Sequence, residues 1–253
     1  MRKIMYGLIA ALFAIALTAC GGEEESKDKG KDTENKQNAG EKTEQPQQQD
    51  PEKMKKKLEE QHVEKDKVVV TVNDTEIKGT DYNRLLERSQ MQYQQMGQDP
   101  TKEETAKKLK DQVINSMVEY EIILQEAEKK GYEASAEKVD KQFKDFKGNF
   151  KDDKKYQEAL KQYDLTEEEL KKEIAKGILY TTYVEKEISV EEASEKEIKE
   201  FYDNLKQAQG DKAPKYEEVK GHIKTQLEDQ KKQEKLKKVV KELKKDADIK
   251  VHI

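Results

Sequence analysis

Tryptophan is absent from this chain of 253 residues, and cysteine occurs once, at Cys20. One thiol excludes a disulfide framework and any cysteine-based metal site. Histidine is nearly as scarce. His62 falls in a linker, His222 on a helix flank and His252 in the last strand, so none is expected to act in catalysis. There is no Walker A loop, no G-x-S-x-G, no H-E-x-x-H and no G-x-G-x-x-G. No catalytic residue, metal ligand or cofactor is therefore expected. Hydrophobic residues make up only 33% of the chain and aromatic ones 6%. That is too little for a thick core and suits long helices with narrow apolar stripes.

What is abundant is charge of both signs, 42% of the chain, with a net charge of −5. Interspersed signs on a mildly acidic chain give no support for nucleic-acid binding. The lysine runs at Lys55–Lys57, Lys231–Lys232 and Lys244–Lys245 sit beside glutamates and read as solvated helix faces.

The chain opens on an address. Arg2 and Lys3 precede an apolar run from Ile4 to Leu17, which is short for a membrane span. It ends in Leu17-Thr18-Ala19-Cys20, which resembles the lipobox of bacterial lipoproteins. The resemblance implies that residues 1–19 are a signal peptide and that Cys20 is acylated as the first mature residue. Two acyl chains anchor stably where one does not. Residues 20–66 are almost wholly polar and read as a disordered linker, with at most a frayed helical turn or two over 52–66. As a random coil such a tether spans roughly 35–40 Å, which would hold the folded part off the membrane.

The folded part is expected over 67–253, organised around one helix from about 102 to 130. Val113, Met117, Tyr120, Leu124 and Ala127 recur at helical spacing, and Ile114, Val118 and Ile122 add a second face. Thr101 with Glu104 reads as a capping box, and Gly131 as the stop. Before it, Val68–Val72 reads as a strand, Asn73-Asp74 as a turn, and 81–96 as a helix capped by Thr80 and stopped by Gly97. After it come a helix from Ser135 to near Gly148, one over about 152–163, and one capped by Thr166 with Glu169. Ser194 with Glu197 opens a further helix carrying Ile198, Phe201, Tyr202 and Leu205. A long helix over about 215–245 has a polar break at 228–235. Residues 249–253 alternate apolar and polar and are expected to pair with 68–72, since a lone strand would leave its ladder unsatisfied.

The run Val70-Thr71-Val72-Asn73-Asp74, the capped helix and the long helix ending Gln125–Tyr132 resemble the N-terminal domain of the SurA/PrsA chaperone–foldases. The resemblance implies a mainly α, multi-helix domain closed by a small two-stranded β pairing of its ends. In that family a sequence like Glu197–Tyr202 leads into a parvulin prolyl isomerase domain. Here Tyr216-Glu217-Glu218-Val219, which resembles the return helix, follows after a short polar stretch. The expectation is a lipid-anchored extracytoplasmic chaperone for unfolded or secreted proteins, without the isomerase, in the cell membrane of a Gram-positive source. The alternatives are a divergent prolyl isomerase and a lipoprotein adaptor for one partner. Candidate client-binding residues are Tyr82, Leu86, Met91, Tyr93 and Met96 on one helix, with Tyr156, Tyr163, Tyr180 and Tyr183 as a cradle. Methionine is flexible enough to suit promiscuous surfaces.

Overall fold

A computed structural model describes residues 51–163 and 165–253. Cys20, the leader and residues 20–50 lie outside the described residues. In chain order the helices are α1 (Pro51–Glu59), α2 (Gly79–Gln95), α3 (Glu103–Lys129), α4 (Ala136–Gly148), α5 (Asp153–Gln162), α6 (Glu167–Glu187), α7 (Glu195–Gln209) and α8 (Tyr216–Asp246). Three strands accompany them: β1 (Val68–Val72), β2 (Thr75–Lys78) and β3 (Ile249–Val251).

α3 is the axis, as its two apolar faces imply. Leu109, Val113, Ile114, Met117, Val118 and Ile122 share one buried cluster with Tyr82 and Leu86 of α2 and with Val69, Val70 and Val72 of β1. Ile123, Leu124 and Ala127 share another with Leu179 and Tyr183 of α6 and Val240 of α8. At its end Gly131 turns to a φ of 79°, and the Tyr132 N–H donates back to the Ala127 carbonyl. That is the left-handed stop expected of a glycine there.

β1 lies between β2 and β3 in a three-stranded sheet, antiparallel to both. The expected closure is present: Val70 pairs with Val251, Thr71 with Lys250 and Val72 with Ile249. The expected two strands are three, because the Asn73 turn (φ 53°) folds Thr75–Lys78 back on β1. The β2 segment carries one apolar residue, Ile77, and is held by its ladder more than by burial. Asn73 also ties the domain's ends together. Its Oδ1 accepts the Asp248 N–H at 2.9 Å, and its Nδ2 donates to Gln125 Oε1 of α3 at 2.6 Å.

Residues 51–66, expected as linker, belong to the folded unit. The Asn83 amide bonds both the N–H and the C=O of Val63, and the buried Gln90 donates to Gln61 Oε1 and the Leu58 carbonyl. Apart from Val63, which packs against the core cluster, the docking uses polar groups, so no apolar run announced it. Two expected caps also differ. Thr101 turns its hydroxyl to Asp99 Oδ1 at 2.7 Å, and Lys102 occupies the N-cap of α3 without a side-chain bond. Thr80 donates to the Lys65 carbonyl, and α2 begins at Gly79. The boxes at Thr166–Glu169 and Ser194–Glu197 form as read, and Ser135 caps α4.

Candidate functional site

Residues 89–98, Ser-Gln-Met-Gln-Tyr-Gln-Gln-Met-Gly-Gln, form a stretch without a charge in a chain that is 42% charged. They make up the C-terminal half of α2 and its stop. Burial sorts them. Gln90 is buried among its hydrogen bonds, while Met91 is 39% and Met96 55% exposed, two of the few large apolar side chains left in water among the described residues. Tyr93 lies between these extremes. Its ring packs on the core and its hydroxyl donates to Gln112 Oε1 at 3.1 Å. At its edge Gln94 Nε2 reaches Met54 Sδ of the otherwise mostly charged α1 at 3.7 Å. The result is an uncharged Met/Gln face of flexible side chains.

A second group of polar side chains converges between α2 and α6, over the middle of α3. Arg84 pairs with Asp81 at 2.8 Å on α2. On α6, Lys176 pairs with Glu173 at 3.1 Å. Burial pushes the Asp81 carboxyl above its ordinary range. Arg84 opposes that shift, and Glu173 across the gap adds to it. Burial works against the charge on Lys176, yet Glu173, Asp81 and Glu121 together outweigh it and hold the ammonium above its ordinary pKa. Tyr120 of α3 and Tyr180 of α6 stack beneath, with ring centroids 5.2 Å apart and planes 30° from parallel. Burial first, then Glu173, raises the Tyr120 hydroxyl. The group sets two half-buried tyrosine rings beside charges of both signs.

The structure divides the nine sequence candidates. Tyr82 (2% exposed), Leu86 (0%), Tyr156 (1%) and Tyr183 (3%) are core and present no surface, which corrects their reading as client contacts. Burial pushes the Tyr156 hydroxyl up to about 12, and the ring sits edge-on to Phe143, Phe146 and Phe150. Tyr163 ends α5 and is half-buried. Tyr180 is half-buried as well, so of the expected tyrosine cradle only Tyr163 and Tyr180 keep any surface. Asp81, Arg84, Tyr120 and Lys176 were not among the candidates. The i,i+3 spacing of Asp81 and Arg84 was legible, but the approach of α6 was not.

None of the histidines gathers a site. His62 Nε2 stands 3.5 Å from Glu87, His222 is exposed on α8, and His252 Nε2 meets the Thr71 hydroxyl at 2.9 Å. Among the described residues no three His, Cys, Asp or Glu side chains cluster as metal ligands. No described helix is long and apolar enough to cross a membrane.

A family model described as the SurA-like N-terminal domain matches residues 53–184. The match begins inside α1 and ends near the close of α6, so it takes in β1, β2, the Met/Gln face and the charged group shared by α2 and α6. No curated protein matches the chain.

Proposed function

The chain belongs to the SurA-like N-terminal domain family, and from that premise we propose that it is a lipid-anchored, extracytoplasmic chaperone that binds unfolded or secreted polypeptides without isomerising prolines. The observation that carries the reading is the family match over the segment that bears the Met/Gln face. A chaperone needs weak, adaptable apolar surface, and exposed methionines among uncharged glutamines supply it. The non-catalytic part is supported by the connection after α7. A 3-10 turn at Gly210–Lys212 and the residues Ala213-Pro214-Lys215 lead straight into α8, at the place where the resembling foldases insert their isomerase.

The test dilutes two unrelated, chemically unfolded proteins into buffer with the purified chain and follows light scattering. Near-stoichiometric suppression with both is expected, weakened several-fold by the pair Met91→Lys and Met96→Lys, whose positions are exposed enough to leave the fold intact. No suppression with either client would sink the reading in favour of a dedicated adaptor. The anchor is tested separately. Cys20→Ser expressed in cells should lose incorporation of a labelled fatty acid and leave the membrane fraction, and unchanged labelling would remove Cys20 as the acylated residue.

A further inference from the structure

The sheet has two edges, and they are built differently. β2 exposes Glu76 and Lys78, and its Thr75 hydroxyl accepts from Gln125. A short, charged edge discourages pairing with another chain. β3, the other edge, carries Val251, which is 51% exposed.

The register shows what that edge offers. The Asn73 N–H donates to the Asp248 carbonyl at 2.7 Å and the His252 N–H to the Val69 carbonyl at 2.9 Å. Even-numbered residues of this segment therefore turn their backbone groups to β1. Alternation in an antiparallel ladder leaves the N–H and C=O of Ile249 and Val251 directed away from it. Cross-strand partners share a face. Val251 lies opposite Val70 and Ile249 opposite Val72, and both partners are fully buried. Ile249 and Ile253 pack against the same core cluster. The apolar layer of the core thus runs out along β3 and stops, half-covered, at Val251, beside a row of outward backbone donors and acceptors. Lys250 and His252 stand on the opposite, wet face.

We propose that the β3 edge takes up an extended segment of unfolded polypeptide as a fourth strand, its alternate apolar side chains seated beside Val251. The inference deepens the chaperone reading and rests on it for the identity of the partner. A strand of three residues is about 10 Å long. A second copy meeting it would bury far less than the roughly 800 Å² per partner that a stable interface needs. Weak, reversible pairing suits a transient client. Main-chain hydrogen bonding reads no sequence beyond the apolar alternation, which fits a binder of many chains.

The probe is a fluorescein-labelled peptide of alternating valine and threonine, with a twin N-methylated along its central residues so that the side chains stay and the backbone donors go. Anisotropy is read against the full chain, Val251→Pro and Val251→Thr. Proline at 251 removes only an N–H that points away from β1, a position where edge strands tolerate it. The unmethylated peptide should bind the unaltered chain, with binding at least about tenfold weaker for the twin and for Val251→Pro. Val251→Thr, which keeps the backbone and loses apolar surface, should fall between. Binding of the twin within about twofold of its parent, or no binding of either, overturns the proposal. Should Val251→Pro fail to fold, the two peptides on the unaltered chain decide alone. Aggregation suppression without backbone-dependent binding would leave the chaperone reading standing and remove the edge from it. Backbone-dependent binding without suppression would do the reverse.

Discussion

Gly79 is the one described glycine at which a β-carbon would meet neighbouring atoms. Its N–H donates to the Lys67 carbonyl at 2.8 Å, and a β-carbon there would lie 2.1 Å from the Glu64 carbonyl oxygen and 2.9 Å from Val63 Cγ2. The Glu64 carbonyl cannot swing aside freely, since it accepts the Lys67 N–H at 3.1 Å. Gly79→Ala is therefore expected to destabilise by about 1–3 kcal/mol, the usual cost of forcing atoms into filled space. A lower urea midpoint at unchanged slope would report it. An unchanged midpoint would mean that residues 63–67 retreat at no cost and do not belong to the cooperative unit. The same scale explains which candidates were legible. Met91 and Met96 stand exposed, yet Tyr82 and Leu86, named with them on the same helix, are buried. Spacing says that these side chains share one helix, but which face meets α3 depends on the tertiary partner. Tyr156 and Tyr183 were misplaced for the same reason.

Caps separate the helices whose starts the sequence announced from those it did not. A box forms where both partners are free to turn inward, as at Ser194–Glu197, and an expected box or cap fails where a neighbour claims the hydroxyl, as Asp99 does at Thr101 and the Lys65 carbonyl at Thr80. β2 escaped the sequence because one apolar residue in four carries no periodicity, whereas β3 was legible from its alternation and from the demand that a strand find a partner. Glu197 does more than close its own box. Lys231 of α8 lies 2.7 Å from it, while the Ser194 N–H donates at 2.7 Å and the Ser194 hydroxyl at 2.8 Å. Lys231 first, then the Ser194 backbone and hydroxyl, pull its pKa down to about 2 from an ordinary 4.5. A carboxylate depressed in the folded state contributes stability that is complete above its unfolded pKa and is lost as protons return. The contribution of Glu197 should thus be intact above about pH 4.5 and vanish as pH falls toward about 2. Unfolding of Glu197→Gln, followed by helical circular dichroism across that window, should show a shallower acid dependence than the parent. Parallel profiles would mean that the box and Lys231 hold α7 equally well without the charge.

At the scale of the molecule, α8 joins two separate cores. Its C-terminal half sends Val240, with Leu236, Val239 and Leu243 beside it, into the cluster around α3 and α6. Its N-terminal half sends Ile223 into a cluster of its own with Ala193 and Ile198, flanked by Phe201, Tyr202, Tyr216, Val219 and Leu227. Between them, residues 228–235 contain no apolar side chain, the polar break that the sequence displays. Polar bonds such as that from Lys235 to the Ser189 carbonyl bridge the gap. Exposed polar links transmit little cooperativity compared with shared buried surface. The arm formed by α7 and the first half of α8 should consequently open without the body. Ile198 is 1% exposed at the centre of the arm's cluster, and Ile198→Ala should cost about 2–5 kcal/mol, as deleting a buried aliphatic side chain does. Native-state hydrogen exchange locates that cost. Amides of α7 and of residues 216–227 should lose protection, while the slowest amides of α3 and β1 keep theirs, because their core contains nothing that was removed. An equal loss in α3 would show that arm and body unfold as one. Independent opening would free the arm to swing while the sheet, closed by β1 and β3, keeps the Met/Gln face and the β3 edge rigid, so that polypeptide binding at those surfaces would survive Ile198→Ala unchanged.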